Sequence, residues 1–117
     1  MSNHLYDIAY GLERALRQNE DFLKLKEMYN QVLADQNANA LFTNFRDIQL
    51  KLQQKQMTGQ EITSDEVQQA QKAAALAQQN EKIAKLIETE QRMSFIIDDL
   101  NKIIMKPLDE LYGNIQY

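Results

Sequence analysis

The chain has 117 residues, a formal net charge of −4, and 44% apolar against 26% charged residues, the size and balance of one domain with a modest core. It has no cysteine, one histidine, three glycines and one proline. That excludes a disulfide scaffold, a thiol nucleophile and cysteine-ligated metal centres, and it disfavours a histidine-based site, a Ser-His-Asp triad and a turn-rich β fold.

The N-terminal Met1-Ser2-Asn3-His4 lacks the basic start and apolar run of a signal peptide. No stretch of the sequence approaches the roughly 18 apolar residues of a membrane span. A cytoplasmic protein with no membrane contact is expected. Asn3 is set to cap a first helix over residues 4–18, whose apolar positions Leu5, Ile8, Ala9, Leu12, Ala15 and Leu16 follow the i, i+3, i+4, i+7 spacing of an amphipathic helix. Gly11 weakens that helix by up to about 1 kcal/mol against alanine.

Asn19, followed by Glu20 and Asp21, is the cap expected for a second helix running to about Ala34, with a stripe of Phe22, Leu25, Met28, Tyr29, Val32 and Leu33. Asp35 to Asn39 is rich in cap and turn residues. A third helix follows with Leu41, Phe42, Phe45, Ile48 and Leu52 on one side, and Gly59 is placed just past its end. Met57 to Thr63 reads as a loop. Thr63-Ser64-Asp65-Glu66 has the form of a capping box, opening a fourth helix with a thin stripe of Val67, Ala70, Ala74 and Ala77.

Asn80 marks either a break or a new cap. From Glu81 the apolar signal is the strongest in the chain, and no glycine or proline interrupts it before Pro107, which gives a fifth helix roughly 39 Å long. Pro107 then kinks it or opens a short final segment that stops at Gly113. The expected core comprises Leu12, Leu16, Phe22, Val32, Phe45, Ile48, Leu52, Ile83, Leu86, Ile97, Leu100 and Ile104. The expected architecture is an all-α antiparallel bundle of about five helices, one domain over residues 1–117, with a long C-terminal helix.

A surface helix needs an apolar arc of only about 100°. The fifth helix offers an arc of roughly 200°, with Phe95 behind it. Either the chain buries it on both sides, or it is shared between the core and a subunit interface. The second reading leads to a homodimer with Met93, Ile96, Leu100 and Ile103 as candidate interface residues.

No constellation for chemistry emerges. There is no glycine-rich phosphate loop, no His-x-x-x-His and no Glu-x-x-His. Asp98 and Asp99 are neighbours on a helix and point about 100° apart, as on a solvated face. His4 reads as a terminal surface residue, and Tyr6, Tyr10, Tyr29 and Tyr112 as core-edge residues. Basic pairs such as Arg14/Arg17 and Lys51/Lys55 are interspersed with acids, so no basic stripe appears. No catalytic residue, metal or cofactor is expected, and nucleic acid is a poor partner for an acidic chain.

Leu41-Phe42-Thr43-Asn44-Phe45-Arg46 opens a glutamine-rich helix ending at Gly59. A capped alanine-rich helix comes next, and Asn80-Glu81-Lys82-Ile83 leads through Glu88-Thr89-Glu90 into a long aliphatic helix. Over residues 5–112 this order resembles the YlbF/YmcA family of small helical proteins of Gram-positive bacteria, closest to its cysteine-free YheA-type branch. The resemblance implies an all-helical, self-associating regulatory protein without catalysis. The family's YlbF and YmcA act with a third protein in a complex linked to competence, sporulation, biofilm formation and ribonuclease Y–dependent RNA processing. An RNA-associated accessory protein is therefore the alternative function. Those members carry cysteines associated with iron–sulfur clusters, and a chain without cysteine carries no such implication.

Overall fold

Three short polar corners decide where the chain turns. A computed structural model describes residues 2–113, in which five helices run as α1 (Ser2–Arg17), α2 (Glu20–Ala34), α3 (Gln36–Met57), α4 (Ser64–Gln79) and α5 (Glu81–Tyr112), with no strand among the described residues. Asn19 Oδ1 accepts from the Asp21 and Phe22 amides at 2.9 and 3.1 Å and so starts α2. Asp35 is extended (φ −101°, ψ 115°); it ends α2 and begins α3, its Oδ1 accepting from the Ala38 amide at 3.0 Å. Asn80 repeats the device between α4 and α5, accepting from Lys82 and Ile83 at 3.0 and 3.2 Å. Each corner satisfies amides that a helix start leaves without partners. Asn80 is thus both a break and a cap.

The remaining turn is longer. Gly59 has φ +74°, a left-handed conformation that glycine adopts without a Cβ penalty. Thr63 closes the loop with the capping box: its hydroxyl accepts from the Glu66 amide at 3.2 Å, and Glu66 Oε1 accepts from the Thr63 amide at 3.0 Å.

The core sits where α2, α3, α4 and the start of α5 converge. Met28 and Val32 of α2, Ala38 and Phe42 of α3, Ala77 of α4, and Ile83 and Leu86 of α5 form one buried cluster, with Leu25, Leu41, Phe45 and Ile87 packed against it. The α2–α5 and α3–α4 pairings carry most of the packing. Ala77 is fully buried, and its small side chain lets the neighbouring helices approach closely.

Several expectations need correction. Leu12, Ile97 and Ile104 were expected in the core and are exposed, as is Val67 on α4, where Ala73 joins Ala77 as a buried position. Leu16, Phe22, Phe45, Ile48, Leu52 and Leu100 are only half-buried. The cause is common to α1 and α5: among the described residues, α1 packs only on α2, and α5 has no fully buried residue past Met93. Asn3 lies inside α1 rather than capping it, since Ser2 is already helical. Pro107 lies within α5 and opens no separate segment. The unbroken 32-residue helix is about 48 Å long. Gly113 ends it at φ +75°.

Candidate interaction surface

Helical geometry puts Leu86, Met93, Leu100, Ile104 and Leu111 within roughly 20° of one line along α5. The line is continuous, but its environment changes midway. Ile83, Leu86, Thr89 and Met93 are buried by the chain itself. Beyond them Ile97, Ile103, Ile104, Leu108 and Leu111 are exposed, Leu111 to 73%. Helix α1 adds a second bare stripe, with Leu5 at 70% and Ile8 and Leu12 also exposed.

Overall dimensions carry the same information. The radius of gyration is 18.6 Å, against roughly 13 Å for a compact domain of this length. The surface is 9525 Å2, roughly 2,900 Å2 more than a compact monomer of this mass exposes. Obligate dimers bury about 1,000–2,500 Å2 on each subunit, so the excess on one chain is at least as large as one subunit interface removes.

The four sequence-derived interface residues share the α5 stripe but not one environment. Met93 is covered by its own chain, Ile96 and Leu100 are half-buried, and Ile103 is 66% exposed. Sequence reading missed Thr89, which lies buried in the same stripe. Its hydroxyl donates to the Leu86 carbonyl at 2.8 Å and is thereby satisfied within the helix. It also missed the aliphatic residues of the last turn, Leu108 and Leu111, which the 3.6-residue period extended past Pro107 would have found.

A groove of about 650 Å3 opens beside this stripe, between α2, α3 and the middle of α5. Phe22, Leu25, Tyr29, Phe42 and Leu86 line it, with Arg17, Lys26, Arg46 and Glu90 at its edges. The Tyr29 ring meets Phe42 edge-on at 6.4 Å. Arg46 lies over the Phe42 ring at 5.4 Å and 3.7 Å from Glu90. The groove is therefore an aromatic floor under a predominantly basic rim.

The shifted carboxyls lie away from this surface and serve the corners. Glu66 is lowered from 4.5 to about 2, first by the hydrogen bond from the Lys55 ammonium and then by that from the Thr63 amide. Asp35 is lowered first by the Ala38 amide and then by Lys82. Among the described residues, no group of three or more His, Asp or Glu side chains is gathered as metal ligands would be, and no helix is long and apolar enough to cross a membrane.

The family described as Control of competence regulator ComK, YlbF/YmcA, matches residues 5–109. The chain is 60% identical to UPF0342 protein YheA of Bacillus subtilis (strain 168) over 116 residues, 99% of both chains. A solved structure of a protein of unknown function (DUF964) from Bacillus stearothermophilus superposes with a TM-score of 0.87 at 50% identity, covering 96% of this chain and 98% of that one. At 19% identity the fold is also shared with Bacillus subtilis RicA, solved in complex with RicF, with a TM-score of 0.68 over 97% of this chain and 100% of that one. The resemblance read from the helix pattern is borne out.

Proposed function

The chain belongs to the YlbF/YmcA family of competence regulators, and from that premise we propose that it is a non-catalytic interaction module that self-associates through the C-terminal half of α5. The observation that carries this reading is the bare continuation of the core stripe past Met93. Exposed apolar faces of this extent mark interaction sites, and a two-fold pairing lets one face cover its own copy. Of Met93, Ile96, Leu100 and Ile103, the last three are the proposed contact residues, Ile103 the most accessible of them, and Met93 lies buried at the boundary of the contact.

Support for a regulatory rather than chemical role comes from the character of the surface. Its exposed residues Ile97, Ile103, Ile104, Leu108 and Leu111 are aliphatic. RicA, which shares the fold, was solved in complex with RicF, and we propose that this chain likewise acts by pairing with a protein.

Sedimentation velocity over a hundredfold concentration range tests the proposal. A dimer that dissociates on dilution, or persists throughout, supports it. A monomer at every concentration overturns it.

A further inference from the structure

The groove beside Leu86 and the far end of α5 have complementary chemistry. We propose that the last turn of α5, Leu108–Tyr112, docks in the groove of a second copy, over Tyr29 and Phe42 and beneath Lys26 and Arg46. This inference rests on the self-association proposed above and adds the seat of the helix end.

Helix register supports it. If two α5 helices cross antiparallel near Leu100, the last turn lies about 12–18 Å beyond the crossing, at 1.5 Å per residue. Glu90, at the groove's edge, lies about 15 Å before it on the other copy. The end of one helix is therefore in axial register with the groove of the other.

Charge and apolarity match as well. The last turn presents Leu108, Leu111 and Tyr112, all exposed, together with Asp109 and Glu110. The groove offers an apolar floor in Phe22, Leu25 and Tyr29, with Phe42 and Leu86 packed beneath and Lys26 and Arg46 at its edges. Lys26 pairs with no carboxylate among the described residues, and Arg46 holds Glu90 only at 3.7 Å. Acid against base across a contact also fixes orientation, because the opposite pairing of helix ends would juxtapose like charges.

The chain has no cysteine, so introduced thiols report geometry directly. Leu111→Cys chains are mixed with Lys26→Cys chains under mild oxidation, and Leu100→Cys alone serves as the marker of the crossing. The expected result is a mixed disulfide between the Leu111→Cys and Lys26→Cys chains, alongside self-cross-linking of Leu100→Cys. Leu100→Cys cross-linking without the mixed disulfide overturns the docking while leaving self-association intact. Neither product, from a chain that sediments as a monomer, overturns both.

A charge reversal gives a second readout. Glu110→Lys should weaken the dimer about tenfold at low salt, and combining it with Lys26→Glu should recover most of that loss. Equal dimer affinity in all three proteins overturns the docking.

Discussion

Lys82 Nζ donates to Asp35 Oδ2 at 2.9 Å and closes a span of 47 residues. The contact joins the α2–α3 corner to the first turn of α5, so the residue that caps α3 also anchors the helix returning to it. The two roles are separable. Lys82→Ala removes only a partly exposed ion pair, worth about 0.2–1 kcal/mol. Asp35→Ala also removes the cap on the Ala38 amide and so should cost more. Urea denaturation should rank Asp35→Ala as the more damaging, and the reverse ranking would show that the cap contributes little.

Acid titration should single out Lys55–Glu66. The folded Glu66 carboxyl titrates at about 2 and the unfolded one near 4.5, so the folded state binds its proton more weakly. The associated stability is fully present above about pH 4.5 and is lost as pH falls toward 2. Glu66→Gln should flatten this part of the stability–pH curve. An unchanged slope between pH 4.5 and 2 would contradict it.

Two halves of one helix should respond differently to mutation. Leu86 is fully buried in the core, and Leu86→Ala should cost about 2–5 kcal/mol in unfolding. Ile103 is exposed, and Ile103→Asp should keep the helical signal of the core helices, losing at most the share of α5 past Met93, while reducing sedimentation from dimer to monomer. Loss of helical signal at every concentration would put Ile103 in the fold rather than in the contact.

Gly11 gives a change in the other direction. A Cβ built there meets only the Arg14 guanidinium, at 3.8 Å, an ordinary contact. Gly11→Ala should therefore stabilise α1 by about 0.5–1 kcal/mol, read as a higher thermal midpoint. A lower midpoint would mean that another chain needs the space.

What the sequence made legible follows from what short-range chemistry controls. Asn19, the Thr63–Glu66 box, Asn80, Gly59 and Gly113 act within three or four residues of themselves, and each does in the structure what its local pattern implies. Val32, Ile83 and Leu86 were also legible as core. Leu12, Ile97 and Ile104 were not legible as exposed, because periodicity shows which side of a helix is apolar and says nothing of what lies against it. Whether α1 would fold back onto the second half of α5 depends on the angle at the Gln18–Asn19 corner, and no residue pattern in α5 encodes that. The groove was illegible for a related reason: Tyr29, Phe42 and Leu86 are far apart in sequence and meet only once three helices have packed.

The boundary at Met93 has a thermodynamic consequence. Residues 94–112 form a stretch of helix that receives little support from the rest of its own chain, and helices in proteins owe most of their stability to packing of an amphipathic face. Dilution should therefore do more than separate copies: it should unwind the end of α5, and amide hydrogens past Met93 should exchange faster as the protein becomes scarce, while those around Ile83 keep their protection. On the proposed pairing, the length of ordered helix would read out how many copies are present, so that abundance would be registered in the backbone itself.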